Sequence, residues 1–131
     1  MRLLPTTIAV VIAASAYTYT VPVHADANDQ LAANICNYVH ADDKNRLRNK
    51  LKETRVKLRT VYQALTCEGD SLLRFAIKSG ANDVGSFVAK RLSTSDLVAK
   101  EADGKTVVEW AEANGHGGSE ITAAIKERIS G

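Results

Sequence analysis

A chain of 131 residues is long enough for one domain with a modest core. Its seventeen Lys and Arg stand against fifteen Asp and Glu, so charge is near balance overall. Eight of those cations fall between Asp42 and Leu65 with only three acids, and the remainder is acidic, which argues against a general nucleic-acid binder.

Residues 1–25 read as a cleaved secretory signal. Arg2 supplies the positive start, Leu3 to Ala16 is mostly apolar, and Val23-His24-Ala25 offers small residues where a signal peptidase cuts. An uncleaved anchor is the alternative, but Pro5, Thr6, Thr7, Ser15 and Thr18 leave the run short and soft for a span. The mature chain is then residues 26–131, with no transmembrane helix and a periplasmic or secreted location.

Two cysteines in an exported chain predict one disulfide, Cys36–Cys67. A Cys2His2 zinc site from Cys36, His40, Cys67 and His116 competes with it, but lacks the tight CxxC spacing of such sites. Neither a metal nor a cofactor is expected.

Asp26 to Val39 predicts a first helix, with Leu31, Ile35, Tyr38 and Val39 on one face. A turn at His40-Ala41-Asp42 leads into a basic helix from Asp42 to Leu65, which holds no Gly or Pro. Its apolar residues Leu47, Leu51, Leu58, Val61, Tyr62 and Leu65 share an arc of about 100°. Residues 26–67 are thus read as a helical hairpin stapled by the cysteines.

Beside the apolar stripe, Arg48, Lys52, Arg55 and Arg59 recur at i, i+4, i+7 and i+11 as one ridge; Arg46, Lys50 and Lys57 form a second, tempered by Glu53. One reading is a solvated face whose long stems cover the core's edges. The other is an anion- or partner-binding ridge, to which three guanidinium groups among four positions are suited.

After Cys67 the chain repeats with an offset of 35: Gly69-Asp70-Ser71-Leu72-Leu73-Arg74-Phe75-Ala76 then Ser79-Gly80, and Gly104-Lys105-Thr106-Val107-Val108-Glu109-Trp110-Ala111 then Asn114-Gly115. Each copy runs into a second amphipathic segment, with Val84, Phe87, Val88 and Leu92 in one and Ile121, Ala124, Ile125 and Ile129 in the other. Residues 68–131 resemble the ankyrin repeat, most closely in Asp103 to Ala111 followed by Asn114-Gly115-His116. Leu72 and Val107 stand where that family has proline, Arg74 and Glu109 where it has histidine, and there are two copies where three are usual. The resemblance implies stacked helix pairs and protein recognition, and it brings no catalytic residues. The expected fold is all-α: a disulfide-stapled helical hairpin followed by two degenerate ankyrin-like helix pairs.

Cys36-Asn37-Tyr38-Val39, Asp42-Asp43-Lys44, Arg46-Leu47-Arg48, Cys67 and Ser71 to Ala76 also resemble an uncharacterised family of short exported proteobacterial proteins, which carries no assigned activity. No nucleophile motif frames Ser71, Ser119, His40 or His116. Gly115-His116-Gly117-Gly118 offers only a weak phosphate cradle, since glycines ending one helix and opening another explain it equally. The expected function is therefore non-enzymatic: a periplasmic protein-interaction module, or alternatively salt-sensitive attachment to an anionic envelope component through the basic helix.

Overall fold

The computed structural model describes residues 23–131, so the leader expected over residues 1–25 lies almost wholly outside the described residues. Among the described residues the regular structure is helical apart from one two-stranded ribbon. Its helices are α1 (Val23–His40), α2 (Lys44–Thr54), α3 (Leu58–Val61), α4 (Leu72–Ser79), α5 (Asn82–Arg91), α6 (Thr94–Leu97), α7 (Val107–Ala113) and α8 (Glu120–Ser130).

Helix α4 is the centre of the packing. Six consecutive residues, Leu72 to Ile77, are buried, so this helix is enclosed on all sides up to its last turn, where Lys78 is exposed. It touches α1, α5, α7 and α8. Ser71 caps its start by accepting the Arg74 N–H, and Gly80, at φ 69°, ends it in a left-handed turn. Just before it, Thr66–Cys67 pairs antiparallel with Asp70–Ser71. Glu68 and Gly69 both have positive φ (53° and 85°), the requirement of a two-residue hairpin turn. This ribbon is a departure from the all-α expectation.

The predicted disulfide joins Cys36 of α1 to Cys67 of the first strand, with Cα atoms 5.7 Å apart. The predicted unbroken helix from Asp42 to Leu65 is not what forms. Helix α2 ends at Thr54, Arg55 turns left-handed (φ 56°, ψ 35°), Val56 and Lys57 make a bend, and α3 and a 3-10 turn (Tyr62–Ala64) follow. The staple itself requires the break. In a straight antiparallel hairpin Cys36 would lie about 9 Å back from the turn and Cys67 about 37 Å along it, far beyond a disulfide's reach. Bending at residues 55–57 returns Leu58, Tyr62 and Leu65 to the core while bringing Cys67 home.

Tertiary contacts complete helix ends that local sequence leaves open. Ala81 cannot cap α5; instead Asp42, from the α1–α2 turn, accepts the Val84 N–H at 2.8 Å. At the other end Arg128 of α8 donates to the Lys90 and Leu92 carbonyls at 3.0 and 2.8 Å. Helices α5 and α8 pack closely because Gly85 has no side chain: a Cβ there would collide with Ile121 Cδ1 and Cγ1. Ser93 with Asp96 and Thr106 with Glu109 form capping boxes at the starts of α6 and α7.

Candidate functional site

The bend after α2 rearranges the predicted cation ridge. Arg48 and Lys52 from α2, Lys57 from the bend, Arg59 from α3 and Arg91 from the end of α5 surround one open groove of about 310 Å³. Its apolar lining comes from Leu51, Val56, Leu58 and Phe87. Three of the four cations singled out in the sequence, Arg48, Lys52 and Arg59, therefore share a site. Arg55 does not line it; it sits exposed at the corner. Lys57, assigned by a straight helix to the opposite ridge, joins the groove, and Arg91 enters from 32 residues further along the chain, where no local spacing pointed to it.

Pairing separates the two sets of cations. Outside the groove, Arg46 pairs with Asp43 and Lys50 with Glu53, each at 3.4 Å. Among the described residues none of the five groove cations has a carboxylate within ion-pair distance. Arg48 reaches only the Asn45 amide oxygen, at 3.3 Å. The Arg91 guanidinium lies over the Phe87 ring, 4.8 Å from its centroid, which holds it at the groove's edge.

The corner is held by backbone bonds. The Arg55 N–H donates to the Lys52 carbonyl at 3.2 Å and the Val56 N–H to the Leu51 carbonyl at 3.1 Å, closing α2 in the manner usually left to glycine. An L-residue in this conformation is strained. Arg55→Gly is expected to raise stability by about 0.5–1 kcal/mol in urea unfolding, with the groove unchanged. A loss of stability would mean that the Arg55 side chain, not its backbone, holds the corner.

A second cluster joins α4 to the loop before α7. The Arg74 side chain, 9% exposed, donates from Nη1 and Nη2 to Asp103 at 2.9 Å each and from Nη2 to the Lys105 carbonyl at 3.2 Å. Its Nε lies 2.8 Å from Glu101 Oε1, but too poorly aligned for a hydrogen bond. The guanidinium stacks over Trp110, 5.1 Å from the ring centroid. The hydrogen bonds from Arg74 hold the Asp103 carboxyl down at about 2, and those same bonds raise Arg74 above its ordinary range. Burial pushes the neighbouring Tyr62 phenol well above its usual range.

Because Asp103 titrates lower folded than unfolded, its contribution is complete above about pH 4 and disappears as pH falls towards 2. Unfolding followed from pH 6 to 2 should show a steeper acid loss for the wild type than for Asp103→Asn. Parallel curves would remove the pair from the acid response.

Ser71, Ser119, His40 and His116 have structural neighbours. Ser71 and Ser119 cap helices; Ser119 accepts the Thr122 N–H. His116 stacks on Trp110 with centroids 5.6 Å apart, and His40 lies 6.2 Å from the Phe75 ring. The disulfide occupies both thiols the zinc alternative needed, and among the described residues no group of three His, Cys, Asp or Glu is arranged to hold a metal ion. No helix among them is long and apolar enough to cross a membrane.

Fold and groove define a disulfide-stapled helical domain with a cation-rimmed surface cleft. Residues 35–99 match a family described as "Protein of unknown function (DUF3718)", so the chain is similar to an uncharacterised family over this stretch. The match takes in both cysteines and every groove residue, and stops before Glu101, Asp103 and the second helix pair. No curated protein and no solved structure matches the chain.

Proposed function

We propose that this chain is a non-enzymatic protein-interaction module of an oxidising compartment, periplasmic or secreted, that captures an anionic partner in the groove. The observation that carries the reading is the contrast in pairing: Arg46 and Lys50 have carboxylates on their own helix, while five cations converge on one cleft without any among the described residues. Like charges gathered on one cleft repel one another, and a bound anion relieves that repulsion. The disulfide fits the compartment.

We read α4–α5 and α7–α8 as degenerate ankyrin-like pairs. Ser71 and Thr106 cap the first helix of each at the same offset, and Gly80 and Gly115 follow with positive φ of 69° and 82°. The groove lies on the hairpin side of this stack, where Phe87 and Arg91 of α5 meet α2 and α3. No cofactor enters the reading.

The second reading, attachment to an anionic envelope component, draws on the same five cations. It differs in its salt response, since exposed charges on a polyanionic surface are strongly screened.

The test is cross-linking in the periplasm of a Gram-negative host, comparing wild type with a variant carrying Glu at positions 48, 52, 59 and 91. The expected result is one cross-linked protein band that the variant loses, with helicity and the disulfide intact. Unchanged bands would leave the cations as a solvated surface and sink the docking reading.

A further inference from the structure

The shape of the groove says more than its charge. Its apolar residues lie below the cations: Leu58 is buried, and Leu51, Val56 and Phe87 are half-buried, whereas all five cations are exposed. A surface that inserts into a bilayer projects its apolar residues outward beyond its basic ones. Here the order is reversed. The large exposed apolar side chains among the described residues, Val98 and Ile129, are not in the groove. An occupant that matches this lining supplies an apolar group to enter and carboxylates or other anions to meet the cations. A flat lipid headgroup layer cannot reach such a floor. Backbone-mounted acids flanking a bulky apolar side chain can.

We infer that the groove binds an acidic peptide segment of a partner protein that carries a large apolar side chain, which seats between Leu51, Val56, Leu58 and Phe87. The inference rests on the docking reading above and adds to it the chemistry of the partner. The cleft, about 310 Å³, is at the small end of ligand pockets, which suits one or two side chains rather than a folded element. Arg48, Arg59 and Arg91 supply guanidinium groups suited to grip carboxylates bidentately, and Lys52 and Lys57 add two point charges to the lining. Acids on the segment steer it and fix its orientation; the apolar anchor slows its departure.

The experiment is a titration of the full, disulfide-bonded chain, followed by its backbone amide spectrum, with two synthetic peptides. Both are ten-residue Asp/Glu sequences; one has a central Leu-Phe pair and the other Ser-Ser. A third titrant is phosphatidylglycerol vesicles. The expected result is binding of the Leu-Phe peptide about five- to tenfold tighter than the Ser-Ser peptide. Shifts should centre on Leu51, Val56, Leu58 and Phe87, and be lost in the Arg59→Glu/Arg91→Glu variant, whose unperturbed spectrum elsewhere reports its fold. Equal binding of both peptides would overturn the anchor while leaving the anionic docking reading intact. Binding of neither peptide overturns the inference; whether the docking reading falls with it is decided separately, by the cross-linked band. Groove-dependent binding of the vesicles in preference to both peptides would replace the peptide with a membrane surface.

Discussion

Replacing Cys36 and Cys67 together with alanine is expected to cost about 3–4 kcal/mol, the chain-entropy value for a loop of this length. The bridge spans 31 residues, and that loop contains α2, the bend and α3, which together carry four of the five groove cations. Losing the bridge frees the unfolded chain and removes the constraint that forces the bend. The midpoint of thermal unfolding should fall by about 15 °C or more for a domain of this size. The groove should loosen before α4 and α8 do, so amide exchange at Leu51 and Leu58 should rise more than at Leu73 or Ile121. A double variant within about 1 kcal/mol of wild type would show that core contacts of Ile35, Val39 and Tyr62 hold the hairpin without the staple.

Arg74→Ala is expected to be nearly as damaging, at about 2–4 kcal/mol. Arg74 is the one buried ion of the domain's centre among the described residues, and it lies inside the buried run Leu72 to Ile77 of α4. Truncation leaves Glu101 facing a buried gap, releases Asp103 from two hydrogen bonds, and strips the guanidinium from the face of Trp110. The loop before α7 should then detach. Arg74→Met keeps the stem and removes only the charge, so it separates packing from pairing. Urea unfolding measures both. If the Met variant equals wild type while the Ala variant falls, the stem's packing is what α4 requires and the carboxylates are incidental.

These two expectations also show what a sequence can disclose. The disulfide, the helical class and the burial of Ile35, Val39, Leu47, Val84, Val88, Ile121 and Ile125 follow from cysteine number and periodicity, and they form as expected. The unbroken basic helix does not. Only local signals support it: an apolar stripe at helical spacing, good helix formers, no glycine and no proline. The distance that Cys67 must travel back to Cys36 was already implicit in the spacing, and the two expectations were incompatible at about 1.5 Å per helical residue. Long-range closure overrode propensity, and Arg55 took the strained position that propensity rules reserve for glycine.

The groove was half legible for the same reason. Arg48, Lys52 and Arg59 stand out by spacing, but the straight helix wrongly grouped Arg55 with them and Lys57 against them. Arg91 and Phe87 carry no local signal linking them to α2, because they reach it only through the packing of α5. Tertiary caps such as Asp42 on Val84, 42 residues apart, are invisible for the same cause. Arg74 could have been suspected, since a charged residue inside the run Leu72 to Ile77 must find a partner once buried. Its partners Glu101 and Asp103 could not be picked from the other acids without the fold.

If the groove is the docking site, anion binding follows the position of its cations and not the net positive charge of the region. The measurement that tests it most directly compares two charge-matched variants for binding to polyglutamate at low and moderate salt. In one, Arg59 and Arg91 become Glu; in the other, Arg46 and Lys50 do. Both change net charge by the same amount. The expected result is that the groove variant loses most of its binding, at least tenfold, while the Arg46/Lys50 variant stays within about twofold of wild type. Equal losses in the two variants would contradict the claim, because binding would then follow total charge and the groove would be only a fold in a solvated surface.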